Sequence, residues 1–297
     1  MLVAKLSRLV GDDSGLEREA AHLDAVHRSG VPHLDSIPRL VAFETLDDRR
    51  VLVQSALRGE PLVAASLRRG GRERWGAAVM DWLLELPTTQ PAKDEDWYGR
   101  LIEEPLGRFR RIVGGAPAET VDETLERLEP LRVAQIPHVF EHGDLSHPNL
   151  IRIARRRVGV IDWELAEETG LPAHDLFFFI AWAAAAAAGA RERPGQVAAF
   201  DSAFFADRAW GWALALAYAE RLRLDATLLP LLLIACWARY TARVAVRVAP
   251  VARGDSIDHA GSTEAAAALG FYPYYDYWRH ALARHDSARG RLDRPPR

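Results

Sequence analysis

Apolar and polar positions change their period twice along the chain. Residues 2–10, LVAKLSRLV, alternate as a strand does. DDSGLEREAAHLDAVHRSG then repeats at helical spacing: Leu16, Ala20, Leu23 and Val26 make one face, Asp13 or Ser14 can cap the start, and Gly30 stops it. IPRLVAFETLDDRRVLVQSAL places two apolar runs around a polar LDDRR turn, which predicts a hairpin. The opening region therefore reads strand, helix, strand, strand. From GEPL (59–62) onward the period becomes helical, with helices expected over RERWGAAVMDWLLELP, RLIEEPLGRFRRIVGG and AETVDETLERLEPLRVA, and a loop over TTQPAKDEDWYG. Between 138 and 164 two short strands, Leu150–Ile153 and Val158–Ile161, flank ARRR. After Pro172 the pattern predicts helices over 174–189, 196–220, 226–248 and 273–285, then a charged, frayed tail, SARGRLDRPPR. Elements segregated in this way predict an α+β fold. A small lobe of sheet and helix (1–58) precedes a large helical lobe (59–297).

Composition narrows the function classes. Of 297 residues 49% are hydrophobic, enough to bury a sizeable core in one large domain or two lobes. A net charge of −3 supplies no global attraction to nucleic acid or to an anionic membrane. The arginine runs at 68–74, 108–111 and 155–157 read as solvated faces, so neither partner is expected. The single cysteine, Cys236, lies in the apolar LLLIACWARY and reads as a small buried hydrophobe. Without a disulfide framework the chain suits a reducing, cytoplasmic compartment. Its first residues hold no apolar run of signal-peptide length, and LFFFIAWAAAAAAGA (176–190) is too short for a membrane span. Only two lysines, Lys5 and Lys93, stand among many arginines.

The candidate chemistry sits at HGDLSHPNLIRI (142–153) and VIDWE (160–164). Taken singly, Asp144 and Asn149 are the Asx residues that polar turns use. Taken with Asp162 they suggest more. Mg²⁺ prefers a few protein oxygens, completed by water and phosphate, and the hairpin between Asn149 and Asp162 would bring an amide oxygen and a carboxylate side by side. Asp144 could then take the proton of an acceptor hydroxyl, an arrangement suited to phosphoryl transfer. His142, Asp144, His147 and Asp162 also have a spacing open to a hydrolase metal site. The aromatic run FYPYYDYW (271–278) either packs a last helix or holds a cationic ligand.

HGDLSHPN followed by IDWE resembles the aminoglycoside phosphotransferase and choline kinase group, small-molecule relatives of the protein kinases. LEREAAHL, VLVQSALRGEPL and LPAHDLFFFIA extend the resemblance over most of the chain. It implies a bilobal protein-kinase-like fold and transfer of phosphate from ATP, or another NTP, with Mg²⁺, to a hydroxyl of a small molecule. Carried over, Asp144 is the catalytic base, and Asn149 and Asp162 hold Mg²⁺. Lys5 contacts the nucleotide phosphates and pairs with Glu19, while the backbone around Ser55–Leu57 binds adenine. His142 and Asp175 brace the catalytic loop, and Glu164 is a supporting or additional metal carboxylate. Ser146 stands where protein kinases have a lysine, which favours a small acceptor such as an aminoglycoside, a choline-like alcohol or another metabolite. No Gly-rich hairpin precedes Lys5, so the N-lobe reads as truncated. Three readings compete: a start upstream of this one, an open nucleotide site, or a non-catalytic nucleotide- or partner-binding protein.

Overall fold

The computed structural model describes residues 1–7, 13–68, 70–92, 95–207, 209–248, 267 and 269–292. The end of the first predicted strand (8–10), Lys93 and the last five residues lie outside it. In chain order the strands are β1 Leu2–Leu6, β2 Leu40–Leu46, β3 Arg49–Ser55, β4 Glu60–Pro61, β5 Thr88–Thr89, β6 His138–Glu141, β7 Leu150–Ala154, β8 Arg157–Val160 and β9 Glu167–Gly170. The helices used below are α1 Ser14–Arg28, α2 Gly71–Leu83, α3 Glu104–Ile112, α4 Ala116–Arg132, α5 His174–Ala188, α6 Arg193–Phe204, α7 Trp210–Leu222, α8 Leu229–Val248 and α9 Tyr274–Ala283. The fold is α+β, with small antiparallel sheets and a large helical C-terminal part. Contacts group it into two compact units: Met1–Thr89 with His138–Ala187, and Gln90–Pro137 with Ala188–Arg297.

In the first unit β1, β3 and β2 form a sheet in that order, with Lys5 opposite Leu52 and Val3 opposite Gln54. The β2–β3 turn is tight because Asp47 and Asp48 both take positive φ (49° and 61°), the two-residue geometry that follows the twist of a hairpin. Helix α1 presents its predicted face inward: Leu16, Ala20, Leu23 and Val26 are all buried. Leu16 and Ala20 meet Leu52, with Leu40 and Phe43 packed against them. Asp13 stands at the N-cap without a side-chain cap bond, so the predicted cap is not made by it. Strands β4, β7 and β8 form a second sheet and β5, β6 and β9 a third. The β7–β8 register, Leu150 opposite Val160, closes the hairpin that the sequence predicts.

The second unit is helical. Helix α8, apolar enough by length and composition to cross a membrane, is a core helix here, with 83% of its most apolar window buried; Cys236 lies within it, also buried. The aromatic run packs α9. Trp278 is buried and donates its indole N–H to Thr124 Oγ1 at 2.8 Å, and Tyr277 stacks on Phe200 with centroids 4.4 Å apart. Asp276, the acid beside those rings, is held by Arg193. The single helix expected over 196–220 is instead α6 and α7. The amides of Phe205 and Ala206 both turn back to the Asp201 carbonyl, and the Trp212 indole N–H takes the Phe204 carbonyl at 2.6 Å, ending α6.

Candidate active site

The first unit contains every site residue that the sequence singles out. Lys5 projects from β1 to Glu19 of α1, with Nζ 2.6 and 2.8 Å from its two carboxylate oxygens, and reaches Asp162 Oδ1 at 2.9 Å. Burial opposes the charge on Lys5, but Glu19 and then Asp162 outweigh it, and the ammonium's pKa is raised. Glu19 is only 2% exposed; burial raises its pKa while Lys5 pulls against that rise.

Asp144 follows β6 across a turn that needs glycine: Gly143 has φ 81°. Two buried groups fix this turn. The Asp175 carboxylate, at the start of α5, accepts the His142 N–H at 2.6 Å and the Gly143 N–H at 2.9 Å. The His142 ring accepts the Asp144 N–H at Nδ1 (3.3 Å) and donates from Nε2 to the Ile161 carbonyl (3.1 Å). One neutral imidazole thereby ties the loop of Asp144 to the strand end before Asp162. Burial lowers its pKa to about 4, so the ring is uncharged at neutral pH.

Asn149 closes the other side. Its amide Nδ2 donates to the Asp144 carbonyl (2.9 Å) and carboxylate (3.2 Å), and its own carbonyl accepts the Ile161 N–H at 3.0 Å. Because the amide nitrogen faces Asp144, the amide oxygen faces away. Among the described residues no side chain or backbone donor is assigned to Asn149 Oδ1 or to Asp162 Oδ2, on adjoining ends of the β7–β8 hairpin. Two such hard oxygens suit Mg²⁺ better than a softer ion. No cluster of three His, Cys, Asp or Glu suited to a metal occurs among the described residues. The hydrolase alternative fails on His142, whose two ring nitrogens already bond backbone groups.

Asp162 has φ 72°, a left-handed conformation that costs a non-glycine residue roughly 1 kcal/mol. Its neighbours hold it there. Trp163 is fully buried, edge-on to Trp82, Phe140 and His142. The Glu164 carboxylate lies against the first turn of α1, 2.8 Å from where a Gly15 Cβ would stand, a favourable place for negative charge. At Ser55–Leu57, the Ser55 N–H bonds the Arg39 carbonyl and the Ala56 N–H bonds the Met1 carbonyl. Leu57 packs close to Gly159, where an added Cβ would fall 2.7 Å from its Cδ1. Ser146 is buried, and its backbone closes the catalytic-loop turn. His147 packs on Trp182, and burial lowers its pKa.

Sequence reading passed over His22 and Arg18. His22 Nδ1 donates to the Trp163 carbonyl at 2.9 Å and Arg18 Nε to the Glu164 carbonyl at 3.3 Å. The available signal was their spacing, one and three residues from Glu19 on the same helix.

A sequence profile described as the phosphotransferase enzyme family matches residues 2–244. Among curated protein sequences none matches. Similar solved structures include an ethanolamine kinase of Plasmodium vivax: 11% identity, 96% of this chain and 75% of that one, TM-score 0.54. Choline kinase LicA from Streptococcus pneumoniae is 13% identical over 96% of this chain and 86% of its own, TM-score 0.53. Aminoglycoside phosphotransferase APH(4)-Ia, in a ternary complex with ADP and hygromycin B, is 14% identical over 93% and 84%, TM-score 0.51. At these identities the likeness is one of fold.

Proposed function

The chain belongs to the phosphotransferase enzyme family, and from that premise we propose that it transfers the γ-phosphoryl group of ATP to a hydroxyl of a small molecule. The observation that carries this reading is the Lys5 ammonium held between Glu19 and Asp162, a cation fixed beside a candidate metal carboxylate. In this reading Lys5 meets the nucleotide phosphates, and the Leu57 backbone N–H, which has no acceptor among the described residues, meets the adenine edge. Asn149 Oδ1 and Asp162 would hold Mg²⁺, which when bound neutralises phosphate charge. Asp144 orients the acceptor hydroxyl and takes its proton as the new O–P bond forms; the bond from the γ-phosphorus to the bridging oxygen breaks and ADP leaves. Asn149 and the backbone anchors to Asp175 and His142 keep Asp144 oriented. Ser146, buried in the loop turn, offers no cation for a transferred phosphate, which favours a small acceptor over a protein.

Asp144→Asn tests this reading. Stabilisation by ATP with Mg²⁺, read as a thermal shift, should persist, while transfer to aminoglycoside and amino-alcohol acceptors should fall by at least about 10²-fold, as expected for loss of a general base. Full transfer by the variant would refute the role of Asp144. Equal stabilisation by ATP with Mg²⁺ and by ATP with chelator would remove the metal from the reading. Binding of MgATP without transfer to any hydroxyl would leave a nucleotide-binding protein.

A further inference from the structure

Helix α1 touches the segment after β8 at every turn of one face. Near Gly15 the Glu164 carboxylate fills the space that a side chain would need. Arg18 bonds the Glu164 carbonyl. Glu19, which accepts Lys5, also faces the Trp163 backbone amide, which helps to lower its pKa against burial. His22 bonds the Trp163 carbonyl. Positions 15, 18, 19 and 22 are spaced i, i+3, i+4 and i+7, so they lie along one stripe of the helix. On the other side of the segment, His142 takes the Ile161 carbonyl and the Trp163 indole N–H bonds the Val160 carbonyl. The residue in the middle, Asp162, is the one in the left-handed conformation. A strained residue persists where its surroundings over-determine it.

We propose that α1 acts as a splint for Asp162, with His22 as the positioning residue that sets the metal-holding conformation. This rests on the reading of Asp162 as a Mg²⁺ ligand. Glu19 sits on the same helix, so the face that orients Lys5 also fixes the carboxylate beside it. A shift of α1 along its axis would loosen both together. The Trp163 carbonyl accepts two N–H groups, Ala166 N–H at 3.2 Å from its own segment and His22 Nδ1–H at 2.9 Å from α1; His22 is thus its tie to the helix, and an asparagine side chain carries an N–H at nearly the same place.

Two variants test the splint, His22→Ala and His22→Asn, each with two readouts. The first is amide hydrogen exchange over residues 161–165 in the ligand-free protein. The second is the Mg²⁺ concentration giving half of the thermal stabilisation at fixed ATP, beside ATP binding in chelator. For His22→Ala both exchange at the Trp163 amide and the half-saturating Mg²⁺ should rise roughly 2- to 12-fold, the worth of one hydrogen bond, while ATP binding in chelator changes by less than about twofold. His22→Asn should restore both readouts. Unchanged exchange in His22→Ala overturns the proposal. So does an equal loss of metal-free ATP binding, since His22 would then support the fold at large, and so does failure of His22→Asn to improve on alanine. Absence of any ATP stabilisation in the unaltered protein would refute the nucleotide reading alone; the exchange measurement would still decide the splint.

Discussion

Acidification should loosen this protein through His142, and the size of the effect follows from the ring's bonds. The imidazole is fully buried, donates from Nε2 to Ile161 and accepts the Asp144 N–H at Nδ1. Protonating Nδ1 would set two N–H groups against each other in a site without water contact. Burial drops the folded pKa from 6.5 to about 4. Between those values the unfolded chain binds a proton that the native chain refuses. Stability is therefore fully present above about pH 6.5, falls as pH drops, and levels off once the folded ring also protonates below about pH 4. A shift of that size is worth about 2 kcal/mol by pH 5 and about 3 kcal/mol by pH 4. Other groups titrate in the same range, so the measurement is a difference. Urea unfolding of the unaltered protein and of His142→Gln is followed from pH 7 to pH 4. Glutamine can still donate toward Ile161 and does not titrate. The stability gap between the two should be largest at pH 7 and shrink by about 3 kcal/mol across the range. A gap that stays constant would mean that the ring is charged or solvated in the native state, and the tie between the two loops would fail with it.

Other substitutions probe the remaining supports. Gly159→Ala drives a methyl to 2.7 Å from Leu57 Cδ1, a side-chain end able to yield; it should cost about 1–2 kcal/mol in urea unfolding and raise KM for ATP several-fold, and an unchanged KM would remove Leu57 from the adenine site. Asp175→Ala strands the His142 and Gly143 N–H groups and should cost roughly 2–6 kcal/mol by the same assay, with a loss under 1 kcal/mol counting against the anchor. Lys5→Met leaves Glu19 as a buried carboxylate without its cation and should cost about 3 kcal/mol, much of it recovered in the Lys5→Met/Glu19→Gln double variant; additive losses would show the pair uncoupled. Gln54 Oε1 is buried with no donor among the described residues, so Gln54→Met should leave the melting temperature unchanged or higher, and a clear fall would reveal a partner for the amide.

What the sequence made legible, and what it did not, divides along a physical line. Periodicity depends on which face of an element is buried, so α1, the β2–β3 hairpin and the β7–β8 hairpin could be read from it. The motif was legible because its residue types and spacing resemble a family, and the family profile spans it. The break between α6 and α7 was not, because it is made by two carbonyls, Asp201 taken by the Phe205 and Ala206 amides and Phe204 taken by an indole eight residues on. Nor was the use of Asp276, since the arginine that holds it is 83 residues away. The same limit applied inside the site. Glu164 was read as a supporting or additional metal carboxylate; that it also lies against the first turn of α1 no local pattern announces. His22 carried only the faint signal of its spacing to Glu19, because a histidine on a helix is ordinary until the carbonyl opposite it is known. The bonds of Arg18 and His22 run to the backbone carbonyls of Glu164 and Trp163, and backbone atoms are the same at every position of a sequence. A motif thus specifies residue types and spacing, whereas the bonds that hold those residues in place become visible only once the chain has folded. In this protein His142 and Asp175 could be named from the motif, whereas His22 and the backbone atoms that all three side chains bond, between residues 142 and 164, came only with the fold.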